Sequence, residues 1–291
     1  VTKNEKGEPY IEDYGNGVRN AVMNPVTKIW QKKIKEIVLR LQKYSGTSGV
    51  YLDQISAASP ILCMDRSHGH PLGGGSWWLD QGYYKLLSAI REEMPEGAFL
   101  TSEAMAEPYN HLLDGLLSWN SQFQNQKPIY SAIYGGQISI FGRFNPVGPD
   151  KPKALIMRAG QQLVFGEQLG WISPTILKQK VPADFLRKMA QTRYKLIDYF
   201  VGGQMLPPPI VHGDIPNITA DWEWGENNPS DITISALQRA AWMSEDGRIV
   251  NIFVNVSDKI IDFRISNEDG KEEEKILLDA YSIKFIRVGS D

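Results

Sequence analysis

The chain has 291 residues, 42% of them hydrophobic, and a formal net charge of −3, enough for one large core plus a small appended domain. It lacks the clustered Lys and Arg that a nucleic-acid partner demands, and no run of about 18 apolar residues marks a membrane span. The single cysteine, Cys63, rules out an internal disulfide and a Cys-based metal cluster.

No signal peptide is visible, and the chain opens on Val1 in a polar, turn-rich stretch, "VTKNEKGEPYIEDYGNG". The expectation is a fragment of a longer protein, with the compartment left open and a secreted or periplasmic parent in view.

Residues 1 to 24 read as irregular. Asn24–Pro25 reads as a helix start, with Asn as N-cap and Pro at the first helical position. Trp30, Ile34, Ile37, Val38 and Leu41 follow at helical spacing, and "SGTSG" ends the helix. Val50 to Leu52 predict a short strand that stops at Asp53. A glycine-rich loop, "DRSHGHPLGGGSWW", leads into a helix carrying Tyr83, Leu86, Leu87, Ile90 and Met94. "AFLTS" is the next strand and stops at Glu103.

Tyr109, Leu112, Leu113, Leu116 and Leu117 predict a third, shorter helix. "PIYSAIY" (128–134) predicts a third strand, and "KALIMRAGQQLVF" a helix running toward a fourth strand. Residues 183 to 201 predict a helix. From about 206 onward the runs "RIVNIFVNV", "KIIDFRI" and "YSIKFIRV" alternate, with turns at Asp246–Gly247 and Asp269–Gly270. Strands alternating with helices imply parallel βαβ units. The later runs imply an antiparallel β-sandwich. The expected fold is therefore α/β: a TIM-type (β/α) barrel over residues 1–205, followed by a β-domain over 206–291.

In such barrels chemistry sits at the C-terminal ends of the strands. Asp53 and Glu103 hold that position on two successive strands. If those strands are neighbours about 4.8 Å apart, their carboxyls are expected to face each other at about 5–6 Å, against the about 5–5.5 Å a retaining glycosidase needs. Asp53 is the better fixed, which suits a nucleophile, and the longer Glu103 suits the acid/base. An acid after a strand is also a common helix cap or solvated loop residue, so position alone leaves both readings open.

The loop supplies further candidates. Asp65, Arg66, His68 and His70 offer hydrogen bonds to sugar hydroxyls, and Trp77 and Trp78 offer flat faces for stacking on a pyranose. Both tryptophans also fit simple core packing at the start of the next helix. Glu107 is the fallback acid. Glu167 fits either a substrate contact or a turn cap. Trp119, Trp171, Trp222 and Trp224 fit packing better than the rim. "HGH" also resembles the His-x-His pair of metal-dependent amidohydrolases. That chemistry needs His ligands on later strands, and only His111 and His212 remain.

The motifs "GVYLDQIS", "HGHPLGGGSWW" and "LTSEAMAEPY" resemble bacterial glycoside-hydrolase-like proteins, including a largely uncharacterised family with a catalytic barrel. The tract from Met23 to Gln54 is similar to the segment before the nucleophile of many retaining α-glycosidases. "FGEQLGWISP" and "GGQMLPPP" look like the later barrel and its exit into a β-domain. More distantly, the order resembles endo-α-N-acetylgalactosaminidases and α-amylase-type enzymes, whose nucleophile Asp follows the fourth strand and whose acid/base Glu follows the fifth. The resemblance implies Asp53 as nucleophile, Glu103 as acid/base, an α-linked substrate and retention. It departs in one respect: three βα units should precede Asp53, and only about 50 residues do, so the first strands of a barrel of about 250 residues are expected to be missing.

The expected function is glycoside hydrolysis with a carbohydrate substrate, no cofactor, no metal, and neither nucleic-acid nor membrane partner. The alternatives are a non-catalytic carbohydrate-binding protein and the metal-dependent amidohydrolase. The oligomeric state is left open.

Overall fold

The computed structural model describes residues 1–57, 59–119, 123–143, 151–222, 231–266 and 273–288. The chain forms two compact units, Val1–Asp114 and Gly115–Asp291.

The first unit opens with an antiparallel ribbon, β1 (Ile11–Asp13) and β2 (Arg19–Ala21). Helix α1 (Lys28–Ser45) begins three residues later than Asn24–Pro25 suggest. Asn24 instead accepts the Val26 N–H, and Thr27 holds the N-cap position. The helix ends where expected, on Gly46 at φ 63°, a left-handed conformation that glycine adopts without a Cβ clash. Its stripe is only partly covered: Val38 is buried and Leu41 is exposed.

Strand β3 (Gly49–Leu52) pairs in parallel with β4 (Phe99–Glu103). A π-helical turn over Trp78–Tyr84 and helix α2 (Lys85–Arg91) lie between them in sequence. Leu86, Leu87, Ile90 and Leu100 are almost wholly buried.

In the second unit, β5 (Gly115–Leu117) corrects the expected third helix: Leu116 and Leu117 lie in a strand. A short, fully apolar run fits either element by pattern, and here pairing decides. Conversely, "IYSAIY" is helix α3 (Ile129–Tyr134), not a strand. Its β-branched and aromatic residues favour strands only where a sheet edge is offered. Here the Pro128 carbonyl accepts the Ala132 N–H and starts a helical turn. The following Gly136 lies so close to Gly203 that an added Cβ would meet its carbonyl oxygen at 1.8 Å.

Strand β6 (Ser139–Phe141) pairs in parallel with β5, and Gln168 adds a parallel bridge to Phe141. Helix α4 (Pro152–Val164) precedes that bridge. Helices α5 (Lys180–Lys195) and α6 (Ile197–Phe200) divide the expected helix over 183–201.

The remaining strands are antiparallel: β7 (Gln204–Leu206), β8 (Val211–His212), β9 (Asn217–Asp221), β10 (Asp231–Ser235), β11 (Leu237–Met243), β12 (Ile249–Asn255), β13 (Ile261–Ser266), β14 (Glu273–Leu278) and β15 (Ser282–Val288). They form sheets ordered β15-β12-β11-β7 and β14-β13-β8, with the ribbon β9–β10 beside them. Leu155, Ile156 and Leu163 of α4 and Phe185 and Met189 of α5 share one core with Trp242, Val250, Ile252 and Val254. Residues 205 and 206 both lie in β7, within the second unit. The expected turn at Asp269–Gly270 and Trp224 lie outside the described residues. Among the described residues no helix is long and apolar enough to cross a membrane.

Candidate active site

The register of the first parallel pair sets the geometry. Tyr51 lies beside Thr101 and Leu52 beside Ser102. The next residues along the chain are Asp53, just past β3, and Glu103, the last of β4. The next residue leaves each strand the same way: Gln54 has φ 60° and Ala104 has φ 59°. A non-glycine residue in the left-handed region costs about 1–2 kcal/mol, and such outliers cluster where a side chain must be aimed.

Two serines tie the strand ends together. Buried Ser102 donates its hydroxyl to the Leu52 carbonyl (2.6 Å) and accepts the Ser56 N–H (3.3 Å). The Ser56 hydroxyl donates to the Glu103 carbonyl. These bonds fix the segments after Asp53 and Glu103 relative to each other.

The carboxyls feel one another. Burial pushes the Glu103 carboxyl above the ordinary glutamate range, and the charge of Asp53 and a hydrogen bond to Asp53 push it further. The Gln54 N–H opposes them by donating to Glu103. Tyr51, two residues before Asp53 and so on the same strand face, donates its hydroxyl to Asp53 Oδ1 at 3.1 Å. Burial, then the charges of Asp53 and Glu103, raise the Tyr51 phenol. One acid is thus partly shielded and inclined to keep its proton beside a second that is exposed and receives a phenolic hydrogen bond.

Asp53 lines a cleft of about 450 Å³, together with Glu12, Tyr14, Asn20, Trp30 and Tyr83. Tyr14 donates to Glu12 and accepts from the Gln54 amide, both at 2.6 Å. Glu103 is not among the lining residues; it meets the cleft through Asp53. Sequence reading missed Tyr14, Glu12 and Tyr51. Only Tyr51 carried a signal, its period-two spacing from Asp53.

The loop candidates are placed elsewhere. Asp65 caps the turn at Arg66–His68, pairs with Lys3 at 2.6 Å and lies 3.5 Å from His68 Nε2. Lys3 and then Ser67 hold its carboxyl well below the usual range. His70 is buried and stacks on Trp77 at 3.8 Å and 6°. Trp77 and Trp78 are each 3% exposed and pack with Cys63, so neither offers a free stacking face, although Trp78 borders the cleft. Arg66 and Glu107 are exposed, and Glu107 opens a short turn, Glu107–Tyr109. Of the loop candidates only Trp78 reaches the cleft. His111 bonds Tyr84, and His212 bonds Ser266.

In the second unit, Glu167 is neither a turn cap nor open to a ligand. It is buried in a two-bond pair with Arg143, at 2.6 and 2.7 Å. Trp222 is buried, as packing predicts, whereas Trp171 is exposed.

Residues 1–145 match the family described as "Domain of unknown function (DUF6259)". A Bacteroides thetaiotaomicron protein named "Putative glycoside hydrolase" is 30% identical over 260 residues, covering 87% of this chain and 37% of that protein. A Monosiga brevicollis protein of similar name is 33% identical over 171 residues, covering 56% and 14% respectively. The chain thus spans well under half the length of these curated relatives.

Among solved structures, a maltogenic alpha-amylase from Thermotoga neapolitana superposes with a TM-score of 0.54 at 11% identity, covering 99% of this chain and 69% of that one. The alpha-amylase from H. orenii gives 0.52 at 12%, covering 94% and 67%. Likeness at such identities is one of fold. The chain is a distant homologue of proteins named as glycoside hydrolases, and its structural neighbours are amylase-type barrel enzymes.

Proposed function

We propose that the chain carries both catalytic carboxyls of a retaining glycoside hydrolase, on a (β/α)-barrel scaffold followed by a β-sandwich. Asp53 is the nucleophile and Glu103 the acid/base, acting on an α-linked carbohydrate. The observation that carries this reading is the coupling of the two acids at the matched ends of β3 and β4. A carboxyl that retains its proton can donate to the leaving oxygen. An ionised neighbour can attack the anomeric carbon on the opposite face and form a glycosyl-enzyme. Water, deprotonated by the same glutamate, then releases the sugar with its configuration retained.

The test uses an activated aryl α-glycoside with azide as an external nucleophile, on the chain and on the longer protein containing it. Glu103→Gln should lower turnover by about 10²–10⁴-fold, and azide should give a glycosyl azide of retained configuration. Asp53→Ala should yield the inverted azide. Turnover unchanged in both variants would remove the assignment.

A further inference from the structure

A thiol and two imidazoles converge in the first unit, outside the cleft. The ligating atoms of Cys63, His68 and His70 all lie within 4.8 Å of one another. Cys63 Sγ is 3.4 Å from His68 Nδ1. Cys63 is wholly buried and His70 nearly so.

The outer contacts fix which ring nitrogens face inward. His70 Nδ1 lies 2.7 Å from the Pro71 carbonyl, which can only accept, so Nδ1 carries the proton and Nε2 the lone pair. His68 Nε2 faces the Asp65 carboxylate at 3.5 Å, which leaves the Nδ1 lone pair turned toward Cys63. An acceptor behind each imidazole is the arrangement that orients histidine ligands on a metal.

A second observation locates the meeting point. The buried amide nitrogen of Asn24 lies 3.1 Å from His68 Nδ1 and 2.8 Å from His70 Nε2. One two-donor group spans both lone pairs, so they point at a common centre.

We infer that Cys63, His68 and His70 form a three-ligand binding site for a zinc-class divalent ion. With bonds of about 2.3 Å to sulfur and about 2.0–2.1 Å to nitrogen, tetrahedral zinc keeps its ligands roughly 3.3–3.6 Å apart. The Cys63–His68 spacing already meets this. Binding displaces the Asn24 amide, converts the thiol to a zinc thiolate with loss of its proton to solvent, and leaves the fourth position to water. A thiolate with two imidazoles favours zinc over the hard, oxygen-seeking ions.

The ion would rigidify a loop already tied back by the paired backbone bonds of Cys63 and Gly73 and by the Met64 N–H on Lys3. Ile61 and Trp78, which flank that loop, border the cleft. The site makes one wall of the cleft metal-dependent and requires no step of the glycosidase chemistry.

The experiment is titration of the chelator-treated chain with cobalt(II), then zinc(II). One equivalent of cobalt should produce a near-ultraviolet thiolate-to-cobalt band with intense visible bands of a tetrahedral centre, and one equivalent of zinc should abolish both and raise Tm. With one cysteine in the chain, that band reports Cys63 without any variant. Asp65→Asn should weaken zinc binding by about 10- to 100-fold, and Cys63→Ser by at least as much. Asn24→Ala should leave it unchanged or tighter. Absence of the thiolate band in the folded wild-type chain, or zinc affinity unaltered in Cys63→Ser, would overturn the inference.

Discussion

Asp53 follows β3 and Glu103 ends β4, each one residue past the last parallel register pair, Leu52–Ser102, and the Asp53 carboxylate helps hold the proton on Glu103. That relationship has a thermodynamic consequence separate from catalysis.

The raised Glu103 carboxyl binds its proton more tightly in the folded chain than in the unfolded one. Below the unfolded value both states are protonated and the residue is neutral toward stability. Between the unfolded and folded values the unfolded chain gives up the proton while the folded chain keeps it, so the cost to stability grows across that window and is complete above the folded value. Glu103→Gln, which cannot ionise, should therefore match the wild-type Tm near pH 3 and exceed it near pH 7. Thermal melts across that range check this; a variant less stable at every pH would contradict it.

Ser102 links the two strand ends through the Leu52 carbonyl and the Ser56 N–H. Ser102→Ala should cost about 1–2 kcal/mol by urea denaturation. If the acids act together, it should also lower kcat more than it raises KM, because alignment and not binding is lost. An unchanged urea midpoint would show that the serine does not lock the strands.

Arg143 is fully buried and Glu167 is 2% exposed. Glu167→Ala takes away the carboxylate partner of a buried guanidinium, a loss of about 3–5 kcal/mol. Glu167→Gln, which keeps hydrogen-bonding capacity, should lose less. Equal urea midpoints for all three proteins would show that the pair does not hold this region.

Trp242 of β11 is fully buried, donates its indole N–H to the Val164 carbonyl at 3.0 Å and meets Phe200 edge-on at 5.2 Å. It joins the antiparallel sheet to α4 and α6. Trp242→Ala should cost about 3–5 kcal/mol, seen as a lower urea midpoint for the second unit.

The sequence by itself determined the elements whose pattern admits one reading. β3 and β4 are bounded apolar runs that stop on acids, and each was legible with its terminal carboxylate. Strands β12, β13 and β15 were legible because their alternating runs mark one buried face. Helix α5 was legible from its amphipathic period.

Tertiary structure decided the rest. Leu116–Leu117 and "IYSAIY" exchanged their expected identities because a short apolar run takes the form its neighbours allow. Arg143 and Glu167 lie 24 residues apart, and only the fold makes a buried pair of them. The loop motif was visible as His-x-His, but Cys63 joins it through an antiparallel bridge to Gly73 that no spacing rule encodes. Local pattern records how one segment meets water; which distant side chains share a point in space depends on chain closure and packing, which exist only in the folded molecule.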